Sequence, residues 1–175
     1  MLALMDSLAA IKAFMDSGGE VLTLIAILTF VMWTLIFERV WYFKGSLKGE
    51  IKNALDTWEA RQERNSWGAH QVRYALISRV SEKVDRNLDM VATMVALAPL
   101  FGLLGTVWGM IEVFNVLAVT GGGDAKSMAS GVSKATIPTM AGMVAALSGV
   151  FGNTLINRTA EREKQLLADH LTMDH

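Results

Sequence analysis

Long runs of uncharged residues alternate with strongly charged stretches along this chain. Two runs, 90–111 and 135–156, each hold 22 consecutive residues without an ionisable side chain. A helix rises about 1.5 Å per residue, so each run spans roughly 33 Å, slightly more than a hydrocarbon core about 30 Å thick. A third run, 21–37, is shorter and needs its flanking residues to complete a crossing. The pattern predicts an all-α membrane protein with three transmembrane helices.

The first span ends at a boundary formed by Glu38, Arg39 and Trp41. The long aliphatic stem of Arg39 allows its guanidinium to snorkel toward water. Trp41 begins an aromatic group of the kind found where bilayer meets water. These three residues are therefore predicted to mark a membrane surface.

The N-terminus carries a narrow apolar stripe at helical spacing, which runs from Leu4 to Met15. This stripe favours a helix on the membrane surface over a cleavable signal peptide, because no basic residues precede it. Gly18 and Gly19 are expected to stop that helix. Beyond the second span, Asp124 is expected to cap a short helix.

The segment 44–89 carries nine basic and seven acidic residues and is predicted to be solvated. Apolar residues at helical spacing predict two short helices there, separated by a turn near Asn65. No helix breaker precedes the central span, so the second of these helices is expected to continue into it as one rod. Glu82 and Arg86 would then pair one turn apart on its wet side.

Basic residues are distributed unequally between the two sides of a three-span chain. Thirteen Lys and Arg residues fall on the side of the middle segment and the C-terminal tail, and three fall on the other. The positive-inside rule therefore places the N-terminus outside and the C-terminus in the cytoplasm. The predicted division is an interfacial helix at 1–19 on the outer side, transmembrane helices at 20–43, 90–119 and 135–157, a cytoplasmic helical segment at 44–89, a connection at 120–134 on the outer side and a cytoplasmic helical tail at 158–175.

Composition supports the membrane class and argues against nucleic-acid binding, a metal or cofactor site, and enzyme activity. Hydrophobic residues make up 52% of the 175 residues, whereas soluble domains average about 45–50%. The net charge of −1 gives no reason to expect nucleic acid as a partner. The chain has no cysteine and three histidines, so no metal or cofactor site is predicted. An enzyme is disfavoured because no nucleophile–base pair or phosphate-binding loop is recognisable.

Small residues in the second and third spans predict close helix packing. Glycine and alanine let a neighbouring helix backbone approach, and their recurrence along one face is typical of seams between transmembrane helices. The predicted seam residues are Gly102, Gly105 and Gly109 in the second span and Gly142, Ala145 and Gly149 in the third.

Three threonines place hydroxyl groups at membrane depth. Thr106 lies in the second span, and Thr139 lies in the third with Thr136 one turn before it. Buried threonine commonly bonds its own helix or joins neighbouring helices, so spacing alone leaves a structural and a functional role open. Pro138 lacks an N–H and frees a backbone carbonyl beside Thr139, which favours a polar partner there.

Glu112 is a carboxylate that cannot easily leave the membrane, which makes it a functional candidate by default; the alternative is a place among the outer headgroups. If Thr106 and Thr139 lie at one level in antiparallel helices, Glu112 lies about 9 Å above them and Lys134 about 7.5 Å above them. This depth allows Glu112 and Lys134 to pair at an outer mouth.

Residues 98–109, with the sequence APLFGLLGTVWG, closely resemble the second-span signature of the ExbB, TolQ and MotA proton-channel family, nearest to ExbB and TolQ. Residues 131–147 are similar to the third-span motif of that family, and the Glu38–Arg39 boundary is similar too. With the three-span topology, the resemblance covers most of the chain after residue 20.

The resemblance implies an inner-membrane stator subunit that forms a homo-oligomeric ring, a pentamer, around a smaller single-span partner of the ExbD kind. That partner would bring an aspartate into the pore, where Thr106 and Thr139 would face it. Proton flow would then energise a TonB-like protein for the import of iron carriers across the outer membrane. A TolQ-type role in envelope maintenance and a non-conducting membrane scaffold remain the alternatives.

The chain departs from the family pattern at two positions. Family members usually carry a glutamate where this chain has Lys134, and commonly an uncharged polar residue or histidine where it has Glu112. The hypothesis is that Glu112 supplies the outer-mouth carboxylate here and that Lys134 tunes it.

Overall fold

A computed structural model describes residues 2–64, 66–121 and 125–171. The described part of the chain is helical throughout apart from short turns, and it contains no strand. This confirms the all-α class. The helices are α1 (Leu2–Lys44), α2 (Ser46–Glu59), α3 (Trp67–Asp85), α4 (Leu88–Thr120) and α5 (Ala125–His170).

Three stretches hold helices that are long and apolar enough to cross a membrane: Gly18–Lys44, Trp67–Val119 and Met128–His170. They contain the three uncharged runs of the sequence, so the prediction of three span-forming helices is confirmed. The assignment of their ends to periplasm and cytoplasm stays a prediction.

Two glycines set the ends of helical pieces on the predicted outer side. Gly19 has φ 66° and ψ −159°, so α1 consists of two helical pieces that meet at a kink. Gly121 follows α4 with φ 72°. A side chain would be strained in this left-handed region, which glycine adopts readily. Asp124 lies outside the described residues. The sequence predicts a short helix here as far as Gly131, and α5 instead runs unbroken from Ala125 through Gly131 into the third span.

The expected rod from α3 into α4 is wrong. The helix ends at Asp85, Arg86 has ψ 132°, and Asn87 has φ 65°. Asparagine tolerates this left-handed conformation better than most residues, because its short polar side chain can bond locally. Arg86 therefore leaves the helical path, and the structure, which describes both Glu82 and Arg86, records no ion pair between them.

The chain divides into two compact units. The first unit comprises Met1–Met32 and Thr93–Val150. Its core joins α1, α4 and α5 through buried apolar residues and partly buried apolar residues packed against them. The buried members are Val21, Ile25, Ala98 and Ala145, with Leu28, Phe101, Ala141 and Ala146 packed against them.

The second unit comprises Trp33–Ala92 and Phe151–His175. Within it, Arg73 on α3 holds the end of α5: its Nε donates to the Leu171 carbonyl at 2.7 Å and its Nη2 to the Ala168 carbonyl at 2.9 Å. Lys164 on α5 pairs with Asp85 at the end of α3, 2.6 Å apart. These contacts fix about the last two turns of α5 against α3.

Candidate functional site

The backbones of α4 and α5 approach so closely that three glycines of α4 leave no room for a side chain. A Cβ on Gly102 would lie 2.9 Å from the Thr139 Cα, and one on Gly109 would lie 2.6 Å from the Ala135 Cβ. A Cβ on Gly105 would overlap the ring of Pro138. Contact atoms in real structures are farther apart, so any side chain here would separate the helices.

The facing side of α5 is equally crowded. A Cβ on Gly142 would lie 2.5 Å from the Ala98 carbonyl oxygen, and one on Gly149 would lie 2.6 Å from the Met32 sulfur. Ala145 is buried in the core of the same unit. The six predicted seam residues therefore all lie at contacts between helices.

Two hydroxyls meet within this seam. The Thr106 and Thr139 hydroxyls are hydrogen-bonded to each other, and the Thr139 Oγ1 donates to the Gly102 carbonyl at 2.8 Å. The Thr106 Oγ1 lies 3.5 Å from the same carbonyl, which is too long for a strong bond. Each hydroxyl has one proton. Thr106 therefore donates to Thr139, and Thr139 donates to Gly102.

Helix spacing on α4 and the close packing of α5 together bring the two hydroxyls to the Gly102 carbonyl. Gly102 lies one turn before Thr106 on α4, so its carbonyl is within reach of the Thr106 hydroxyl. Thr139 reaches the same carbonyl from α5 because Gly102 has no side chain to hold the helices apart. The result is a pair of half-buried hydroxyls that can accept and hand on a hydrogen bond.

The other predicted polar residues lie apart from this pair. Thr136 is exposed, and its Oγ1 donates to the Ser133 carbonyl at 2.8 Å. Glu112 and Lys134 are exposed and line one cavity. The structure describes both and records no ion pair between them, so their pairing stays a prediction.

At the predicted membrane boundary, Arg39 differs from expectation. It is 4% exposed and does not snorkel. Its Nε and Nη2 bind both Glu38 carboxylate oxygens at 2.7 and 2.6 Å, its Nη1 donates to the Lys83 carbonyl at 3.1 Å, and it lies over the Tyr42 ring. Protein acceptors satisfy the guanidinium, so it has no need of water. Trp41 is 82% exposed.

Sequence reasoning missed the backbone acceptors. The Gly102 carbonyl could have been found from the one-turn spacing between Gly102 and Thr106. No sequence signal joins Arg39 to Lys83, or Arg73 to the end of α5, because these contacts depend on tertiary packing.

Residues 44–169 match the family model described as the MotA/TolQ/ExbB proton channel family. An ExbB-like biopolymer transport protein of Synechocystis sp. is 31% identical over 162 residues, covering 74% of this chain and 64% of that protein. The Tol-Pal system protein TolQ of Pseudomonas aeruginosa is 32% identical over 105 residues, covering 60% and 44%. The biopolymer transport protein ExbB of Xanthomonas campestris is 36% identical over 75 residues, covering 43% and 30%. The chain thus spans less than two thirds of each relative's length.

Proposed function

Since this chain belongs to the MotA/TolQ/ExbB proton channel family, we propose that it is a proton-channel and stator subunit that energises work at the outer membrane. It is a multi-pass protein of the inner membrane. With an ExbD-like partner, it would use the proton motive force to drive a TonB-like protein, and so the import of iron carriers and similar ligands.

The hydroxyl pair of Thr106 and Thr139 is the observation that carries this proposal. Hydroxyls orient water and hydrogen-bond a carboxylate, but they do not change charge near neutral pH. The uncharged runs 90–111 and 135–156 contain no Asp, Glu or His. A relay at this depth must therefore be completed by another chain or by water alone. We infer the first, with the aspartate of a single-span partner as the titrating group.

A homo-oligomeric ring suits this arrangement, with five copies as the family resemblance implies. Large apolar residues on α4 are exposed in the single chain, among them Leu100, Val107 and Phe114. Such a surface suits contact with lipid or with neighbouring transmembrane helices. The unequal distribution of basic residues supports a periplasmic N-terminus and a cytoplasmic C-terminus.

A TolQ-type role in envelope maintenance is the second candidate. The Tol-Pal system protein TolQ is 32% identical to this chain over 105 residues. This similarity supports the TolQ-type role in the same way that the similarity to ExbB proteins supports the TonB-type role. Deletion in the native cell separates the two: loss of iron-carrier uptake supports the TonB-type role, and leakage of periplasmic protein supports the Tol-type role.

Replacement of Thr139 tests the proton-channel proposal. Thr139→Val keeps the shape of the side chain and removes the hydroxyl, whereas Thr139→Ser keeps the hydroxyl. We expect Thr139→Val to lower proton-driven uptake about tenfold or more and Thr139→Ser to retain most of it. The mass of the gently extracted complex shows whether each variant assembles. Full uptake by an assembled Thr139→Val protein would favour a non-conducting scaffold.

A further inference from the structure

We propose that a cavity of about 1190 Å³ within the first unit is an aqueous vestibule through which protons from the outer side reach the Thr106–Thr139 pair. The cavity lies among the beginning of the spanning part of α1, the second half of α4 and the first half of α5. The proposal rests on the proton-channel function and adds a route that each copy of the chain holds by itself.

The cavity ends one residue short of the hydroxyl pair, since neither Thr106 nor Thr139 lines it. Gly105 and Pro138 line the cavity, and they are the chain neighbours of Thr106 and Thr139. A cavity of this volume has room for many water molecules. Water that fills it would reach the level of Gly105 and Pro138.

The charges of the lining favour water over lipid tails. Among the described residues, three carboxylates line the cavity, those of Asp16, Glu20 and Glu112, together with the ammonium groups of Lys126 and Lys134. All five residues are exposed in the single chain. Ionised groups in hydrocarbon cost several kcal/mol each, so a space bordered by five of them favours water over lipid tails. Carboxylates in this lining attract protons and other cations.

The cavity borders most of the second half of α4. Trp108, Glu112 and Asn115 recur at helical spacing and line the cavity, together with apolar neighbours such as Ile111. Val107 and Phe114 are exposed and do not line it. These two positions are left to lipid or to a neighbouring helix.

The vestibule also accounts for the unusual placement of Glu112. Glu112 lines the cavity, as do Lys126 and Lys134 of α5. It can collect protons there without standing in a central pore. The supply of protons then scales with the number of copies in the ring.

The absence of cysteine from the sequence makes cysteine labelling a clean test. Trp108→Cys and Val107→Cys form a matched pair, because the native side chains are neighbours on α4 and are 56% and 51% exposed. A membrane-impermeant, cationic methanethiosulfonate reagent added from the outer side should modify Trp108→Cys at least about tenfold faster than Val107→Cys. Equal rates in the assembled ring, or no modification of Trp108→Cys, would overturn the vestibule.

Ser130→Cys adds a functional readout with little change of shape. Ser130 lines the cavity, and exposed Ser133 on the same helix does not. Ser133→Cys is the matched control. Both variants should support uptake before labelling. Labelling should then abolish uptake in Ser130→Cys and leave uptake unchanged in Ser133→Cys. Suppose that Thr139→Val abolishes uptake but that labelled Ser130→Cys retains it. The proton route through the cavity would then be wrong, and the channel function would stand.

Retained uptake in Thr139→Val would instead refute the channel function. The labelling rates of Trp108→Cys and Val107→Cys report whether the cavity holds water in either case.

Discussion

Gly142 on α5 lies so close to α4 that a Cβ on it would stand 2.5 Å from the Ala98 carbonyl oxygen and 3.1 Å from the Gly102 Cα. Gly102 is also the residue whose carbonyl accepts the Thr139 hydroxyl. The close approach of the two backbones and the position of the hydroxyl pair therefore depend on the same small residues.

We expect Gly142→Ala to destabilise the protein by about 1–3 kcal/mol, because the added methyl meets backbone atoms that cannot rotate away. Gly49→Ala on α2 is the matched control, since nothing lies within 4 Å of a Cβ there. That change should be neutral or stabilise by about 0.5–1 kcal/mol through helix propensity. The thermal unfolding midpoint of the purified protein measures both. Equal midpoints for the two variants would contradict the tight seam.

Glu112→Gln should lower proton-driven uptake while leaving the assembled complex intact, because the amide keeps the size of the side chain and cannot take up a proton. Glu112→Asp should retain more activity than Glu112→Gln. Glu63→Gln, in the exposed turn after α2, controls for the general loss of one negative charge. Unchanged uptake in Glu112→Gln would remove Glu112 from the pathway.

Arg39→Lys should destabilise the second unit by about 1–3 kcal/mol although it keeps the positive charge. A lysine ammonium cannot bind both Glu38 oxygens and the Lys83 carbonyl in the fork geometry of arginine. The partial exposure of Glu38 keeps the expected cost below that of a fully buried pair. Arg158→Lys, at an exposed position, provides the comparison. A loss of the same size in both variants, measured by thermal unfolding, would argue against a specific role for Arg39.

Arg73→Gln should loosen the end of α5, because two carbonyls lose their charged donor. We expect amide hydrogen exchange over residues 167–171 to become about tenfold faster, which corresponds to about 1.4 kcal/mol of local stability. Arg79→Gln on the same helix is exposed and should leave this exchange unchanged. Protection that survives in Arg73→Gln would mean that apolar packing alone holds the end of α5.

The three spans and the α4–α5 seam could be predicted because they depend on local signals. Uncharged length predicts a crossing, and glycines at helical spacing predict a close neighbour. The meeting of Thr106 and Thr139 follows once two such seams face each other in antiparallel helices.

The remaining features could not be predicted, because they depend on tertiary structure. The break at Asn87 interrupts a sequence that otherwise continues its apolar spacing, and a single left-handed residue leaves no periodic signal. The burial of Arg39 requires the Lys83 carbonyl, which is contributed by another helix. Asp16 and Glu20 reach the cavity of Glu112 only through the packing of α1 on α4 and α5.

The Gly102 carbonyl is a terminal acceptor, because it takes a hydrogen bond from the Thr139 hydroxyl and has no proton to pass on. A proton relay therefore cannot continue past it. Under the proposed function, the Thr139 hydroxyl has to turn away from this carbonyl before it can donate to the carboxylate of a partner. The carboxylate must then compete with a 2.8 Å backbone hydrogen bond, so its engagement and the loss of the contact between the two helices at Gly102 would be a single event.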